Sequence, residues 1–273
     1  MQNILQFILG NKTKITLESL KKWNLILVAL YVIQGGAILL LSISHFFQIS
    51  VLYVTKDTLQ SQLTGQTVIA PATHQLFIIN LVGPVAAFLF IAAILHFLSA
   101  TIWRNQYENW IKKNINPLRW LEYGLNGGII LIVIGLLAGI YDIASLLMLF
   151  AFAIMAALMG LFIEANTKSL QVKQLPKWLD KCVVYIAFLI PWIIIGFYLK
   201  AADFYGSGTQ VMLYVIYLLT LILFIAIFVN VYLMKAKKYN WKDYLYTERW
   251  HFVLSFVAQS LLAWLVYIDI FHS

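Results

Sequence analysis

The chain has 273 residues, 62% of them apolar and only 11% charged, with a net charge of +8. Soluble proteins run at roughly 45–50% apolar and 25% charged, and disorder needs low hydrophobicity with high charge, so both classes are excluded. An integral membrane protein remains. The single cysteine, Cys182, rules out an intramolecular disulfide and a cysteine-based metal site, and is expected to be a buried, inert thiol.

Residues 1–23 read as a cytoplasmic segment, partly interfacial. MQNILQFILG is too short to span and lacks the flanks of a signal peptide; followed by Lys12, Lys14, Lys21 and Lys22, it suits a helix lying on the membrane surface. Residues 24–273 form the transmembrane domain. Windows of about 20 apolar residues mark spans at 24–46, 75–102, 117–141, 144–164, 180–200, 209–234 and 248–270. Only the first connection, 47–74, is long. Its β-like runs ISVLYVT and QTVIA, separated around Gly65, predict a small hairpin over the membrane whose second strand ends at Pro71. The third connection is almost nothing, because Tyr141 and Asp142 must make the whole turn. The fold class is thus all-α, a seven-transmembrane-helix bundle with a small β-hairpin in the first outer loop.

Basic residues orient the bundle. Lys12, Lys14, Lys21 and Lys22 precede span one; Arg104, Lys112, Lys113 and Arg119 lie between spans two and three. Lys168, Lys173, Lys177 and Lys181 lie between four and five; Lys235, Lys237, Lys238, Lys242 and Arg249 between six and seven. Only Lys56 and Lys200 of the 19 fall on the other side. The positive-inside rule then predicts a cytoplasmic N-terminus and an extracellular C-terminus. The partners of these charges are membrane lipids, not nucleic acid.

Ionisable groups inside a span are costly and mark candidate sites. Here they are His96 in span two and Glu122 in span three, joined by Gln34, Asn126, Asn230, Ser255, Gln259 and Ser260. Asp142, Glu164, Asp269 and His272 fall at helix ends and read as surface residues, as do His45 and His74. Counted from the nearest cytoplasmic basic residue, Tyr31, His96, Glu122, Ser255 and Gln259 lie roughly 14, 12, 5, 9 and 15 Å deep. Glu122 and Asn126 are i, i+4, as are Ser255 and Gln259, so each pair shares a face. A polar pocket opening toward the cytoplasm is expected, with interhelical hydrogen bonding as the plainer role for Gln34, Asn126 and Asn230.

VLSFVAQSLLAW at 253–264 resembles the seventh helix of the heliorhodopsins. So do IQGG at 33–36, LHFLSAT at 95–101, RWLEY at 119–123, GIYDIASL at 139–146 and IPWIIIGFYL at 190–199. The resemblance spans all seven helices. It implies a microbial-rhodopsin fold of inverted topology, with a cytoplasmic N-terminus, and a homodimer. It also implies that Glu122 is the counterion carboxylate, that His96 and Gln34 belong to the cytoplasmic polar pocket, and that Ser255 lies one turn before the retinal-binding lysine. That lysine's position holds Gln259. Tyr31 stands where the family shows a histidine, and Gly124, Asn126, Gly127 and Gly128 replace a serine-rich run.

An amide cannot form a Schiff base, because its nitrogen lone pair is delocalised. All 19 basic residues sit in loops or at helix ends, so no substitute amine is expected mid-span. Covalent retinal is therefore not expected. The resulting expectation is a non-pumping sensor or signalling protein with an unknown cytoplasmic partner. Its former retinal pocket, enlarged by Gly124, Gly127 and Gly128, holds a lipid or other apolar ligand. The alternative is a photoreceptor binding retinal non-covalently, or one whose lysine has been mutated. An ion or proton transporter comes third, for want of a polar path through the outer half. An enzyme is not expected: no H-E-x-x-H, G-x-S-x-G or paired intramembrane carboxylates occur.

Overall fold

The structure, a computed structural model, describes residues 15–165 and 179–272, with side chains over 185–269 in the second stretch. The surface helix expected near residue 1 lies outside the described residues, as do the side chains of Cys182 and His272. The order is α1 Leu17–Leu41, β1 Phe46–Lys56, α2 Thr58–Thr64, β2 Ile69–Asn80, α3 Val82–Ala100, α4 Arg104–Lys112, α5 Pro117–Leu137 and α6 Ile143–Ala165. Then follow α7 Leu179–Tyr205, α8 Val211–Lys235, a 3₁₀ turn at Tyr239–Lys242, and α9 Tyr244–His272. Seven of these, α1, α3 and α5 to α9, are long and apolar enough to cross a membrane. Their outward faces carry Leu, Ile and Phe with no polar stripe, as lipid contact requires.

Caps set where the helices start. Thr16 accepts from the Ser19 N–H at 3.1 Å, which starts α1 at Leu17, ahead of the expected Asn24. Lys21 and Lys22 therefore lie on the helix, where long stems let their charges reach the interface. Asn116 accepts from the Arg119 N–H at 3.2 Å, with Pro117 in the first turn of α5. Asp142 accepts from the Ser145 N–H at 2.9 Å at the start of α6.

The hairpin is larger than expected. β1 and β2 pair antiparallel from Phe46 opposite Asn80 to Lys56 opposite Ile69, with an irregularity at Ile49 and Ser50. Residues 75–80, assigned from sequence to span two, extend β2 instead; so short an apolar run has no period to separate strand from helix. Nor does Pro71 end the second strand. It sits opposite Val54, which a two-stranded ribbon tolerates because proline's missing N–H can face an open edge. Asp142 is not a free surface carboxylate either. It also accepts from Leu52 N–H at 3.2 Å, and Tyr141 C=O accepts from Ser50 N–H at 2.9 Å, so the turn before α6 anchors the hairpin. The Ser145 N–H, with Leu52 behind it, holds the Asp142 carboxyl below its ordinary range.

A short helix, α4, occupies the connection after α3. It buries Tyr107 and Ile111, while Arg104 pairs with Glu108 and donates to Leu17 C=O at 3.3 Å, tying α4 to the start of α1.

Among the spans α3 and α5 are the most enclosed. α5 lies close against α6 because Gly124 and Gly128 have no side chain. A Cβ at Gly124 would stand 2.9 Å from Ile154 Cδ1, and one at Gly128 would collide with the Phe150 ring. These two glycines therefore do not open space beside span three, as the sequence suggested. Neighbouring side chains fill it, as close packing between lipid-embedded helices demands. Gly127 differs: its nearest neighbour, Phe224, would be 3.6 Å from a Cβ.

Candidate functional site

α5 and α9 both start on the N-terminal side of the bundle and run parallel. Their backbones hardly touch, and polar side chains fill the seam. On α5 these are Asn116, Arg119, Glu122 and Asn126; on α9 they are Glu248, His251, Ser255 and Gln259. Steps of three or four residues keep each set on one face. The rungs pair in order. Asn116 Nδ2 donates to Glu248 Oε2 at 2.7 Å, Arg119 donates to Glu248, and Tyr123 meets His251 Nδ1. Deeper, Ser255 Oγ donates to Glu122 Oε1 at 2.6 Å, and Gln259 Nε2 donates to the same oxygen at 2.8 Å. Last, Asn126 Nδ2 donates to Gln259 Oε1 at 3.2 Å.

His96 joins the deeper group from α3. Asn24 Nδ2 donates to Leu20 C=O at 2.9 Å, so its Oδ1 faces His96 Nδ1 at 2.6 Å. An oxygen there assigns the ring proton to Nδ1. Nε2 then points toward Glu122 Oε2, 3.7 Å away, with no hydrogen bond. Tyr31 stacks on the imidazole with centroids 5.8 Å apart, and Phe252 meets it edge-on at 5.3 Å.

Six of the seven residues singled out from sequence, Tyr31, His96, Glu122, Asn126, Ser255 and Gln259, therefore assemble. Gln34 does not. Its Oε1 accepts from Trp264 Nε1 at 3.2 Å, a separate link between α1 and α9. Asn230 accepts from Trp241 Nε1 at 2.6 Å in the turn after α8 and donates to Thr247 C=O of α9 at 3.4 Å.

The shallower half of the seam overturns two surface assignments. Arg119 and Glu164 are buried, 5% and 3% exposed, and Glu248 is fully buried. Arg119 donates to both carboxylates. Trp120 Nε1 and Tyr244 Oη donate to Glu164 at 2.5 and 2.9 Å. Proximity to the helix ends suggested headgroup solvation. The chain instead solvates these charges with its own donors, as buried ions require. Asn24, Glu248 and His251 were missed in sequence, although Glu248, His251, Ser255 and Gln259 form one helical stripe. A cavity of about 20 Å³, bordered by His96, Arg119, Glu122 and His251, separates the two halves; it has room for one water.

On the other side of Gln259 lies a larger cavity of about 170 Å³, between α5, α6, α7 and α8. Its wall is apolar except at Asn126, Ser255, Gln259, the tyrosines and Lys235. Lys235, placed by sequence in the loop after span six, is the last residue of α8 and lines this cavity. Trp192 and Phe188 of α7 meet Phe224 and Phe228 of α8 through their rings, at 5.4 and 5.6 Å. Pro191, also in the wall, leaves α7 without the hydrogen bond from position 191 to Ala187 C=O. Among the described residues, no three His, Cys, Asp or Glu side chains form a metal-binding group.

The profile of the family described as Heliorhodopsin matches residues 20–271. Two solved structures share the architecture. One is the transmembrane domain of Salpingoeca rosetta rhodopsin phosphodiesterase, 11% identical, with 94% of this chain and 86% of that one covered at a TM-score of 0.60. The other is a light-driven proton pump, LR (Mac), from Leptosphaeria maculans, 15% identical, with 92% and 93% covered at 0.56. At such identities they establish the fold alone. No curated protein matches the chain.

Proposed function

The chain belongs to the heliorhodopsin family, as a multi-pass, rhodopsin-type integral membrane protein, and from that premise we propose that it works without a covalent chromophore. In this reading it is a non-enzymatic, non-pumping sensor or interaction protein whose pocket takes an apolar ligand. One observation carries it. The group between Glu122, Ser255 and Asn126 is the Gln259 amide, which hydrogen-bonds to all three and has no nucleophilic nitrogen. The runner-up, retinal held non-covalently, draws support from the apolar cavity beside Gln259.

Incubation with all-trans retinal is the test. The expected result is no red-shifted pigment, only near-ultraviolet absorbance. Gln259→Lys should then gain a visible, hydroxylamine-sensitive pigment, because an amine would sit within reach of Glu122. A visible, hydroxylamine-sensitive pigment in the unchanged protein would overturn the reading, and its loss in Lys235→Met would name the attacking amine.

The charge distribution supports a cytoplasmic N-terminus. A homodimer in the membrane is part of the same reading. The hairpin supports it with exposed Phe46, Leu52, Val54 and Phe77, and cross-linking in native membranes that yields only monomer would remove it.

A further inference from the structure

The 170 Å³ cavity has an axis and two different ends. Phe224, Ile227, Phe228, Val231, Tyr232 and Lys235 line it from α8 at spacings of three or four residues, a single face. From Phe224 to Lys235 that face is roughly 16 Å long. At the membrane-surface end, exposed Lys235 is the one charged side chain among the described residues of the wall, and no described carboxylate lies within ion-pair distance of it. At the inner end, Asn126 is 1% exposed and its Oδ1 has no hydrogen-bond donor from the protein. The long wall between is apolar. α7 and α8 pack on α6 and α9 far more than on each other, and Tyr185 and Tyr232 stand half-exposed over the gap between them. Aromatic rings bridge it, Tyr185 to Phe228 at 5.3 Å among them, so entry there requires side chains to move rather than helices to part.

We infer that this cavity binds a hydroxylated long-chain carboxylate, entering between α7 and α8, with its carboxylate on Lys235 and its chain hydroxyl donating to Asn126 Oδ1. The inference rests on the reading that no chromophore is attached at residue 259. Each part of the ligand answers one feature. The ammonium at headgroup depth selects an anion, and a buried acceptor without a donor selects a hydroxyl over plain hydrocarbon. The single apolar face that α8 gives the cavity, from Phe224 to Lys235, selects one extended chain. The length of the face matches an extended chain of roughly a dozen carbons.

Trp120 and Trp192 line the cavity and give the readout. Protein in nanodiscs is loaded with 9,10-dibromostearate, which quenches them, and the quencher is displaced with 12-hydroxystearate, stearate or stearyl alcohol. 12-Hydroxystearate should displace about fivefold better than stearate, and stearate at least about tenfold better than the alcohol. Lys235→Met, a surface change, should abolish the acid-over-alcohol preference, and Lys235→Arg should keep it. Asn126→Leu should abolish the preference for the hydroxyl. Equal displacement by acid and alcohol, or acid binding untouched in Lys235→Met, would overturn the carboxylate assignment. Equal displacement by 12-hydroxystearate and stearate would overturn the hydroxyl assignment. Failure of the underlying reading is separable, because it shows as a retinal pigment rather than as a change in displacement order.

Discussion

Arg119→Met removes the guanidinium that bridges two buried carboxylates. Glu164 and Glu248 keep their neutral donors, Asn116, Trp120 and Tyr244, but lose the guanidinium that both share. At 3% and 0% exposure neither can turn to water. Stripping one partner from a buried ion group costs about 3–5 kcal/mol, a large part of a stability of about 5–15 kcal/mol. Glu248→Gln should cost less. It forfeits one hydrogen bond between charged groups, about 1.5–3 kcal/mol, while leaving Arg119 and Glu164 as a balanced pair. The double variant Arg119→Met/Glu248→Gln leaves a single buried carboxylate where Arg119→Met left two. Its destabilisation should therefore fall short of the sum of the singles by more than about 1 kcal/mol. Unfolding in mixed micelles with added dodecyl sulfate, followed by tryptophan fluorescence, measures all four corners of the cycle. Additivity within about 0.5 kcal/mol would mean that Arg119 does not hold the carboxylates together, and the charge argument would fail.

Asp142→Asn should weaken the joint between hairpin and α6 by about 1 kcal/mol. The Asp142 carboxyl is held below its ordinary range, so its stabilisation is present above the ordinary value of about 3.9 and lost as pH falls through the lowered one. Hydrogen exchange at Leu52 and Ser145 should accelerate over that acid window in the parent and not in the variant; matching pH profiles would refute the assignment. For orientation, a cysteine at Gln60 on a Cys182→Ser background should label in intact cells, and one at Lys113 only after permeabilisation. The opposite pattern would invert the bundle.

The seven spans were legible because an apolar run of about 20 residues signals a crossing by length alone. Their ends were not, since capping by Thr16 and pairing by β2 compete with hydropathy at the interface. In the site, depth and i, i+4 spacing were enough to collect Glu122, Asn126, Ser255 and Gln259. The same reasoning misplaced Glu164 and Arg119. Nearness to a helix end counts as surface only if no neighbouring span covers it, and coverage is a tertiary property. A signal did exist: spans three and seven run parallel, and 116/119/122/126 and 248/251/255/259 are polar stripes in step. Of the large cavity, the sequence showed the side beside span three but neither its extent nor its aromatic walls. Those depend on how far α7 stands from α8, and of the three glycines Gly127 lines the cavity while Gly124 and Gly128 bring α5 against α6.

The charge balance of the seam explains what a glutamine achieves at 259. In the shallow half, Arg119 faces Glu164 and Glu248. Deeper in, Glu122 faces a hydroxyl, an amide and an imidazole. Ser255 and Gln259 both donate to its Oε1, which disperses charge there without adding any. Among the described residues, the group near Glu122 able to supply a positive charge is His96. Its Nδ1 proton is taken by Asn24, so a second proton would enter at Nε2, on the side facing Glu122 Oε2. A lysine at 259 would bring a second cation-forming group into this arrangement and aim it at the cavity. The amide closes the arrangement instead. Its oxygen is occupied by Asn126 and its nitrogen by Glu122 and Ser255, so the wall it presents to the cavity bears no charge. An uncharged inner wall and the Lys235 ammonium at the mouth give the cavity one polarity along its length, and a single-chain carboxylate has the same polarity.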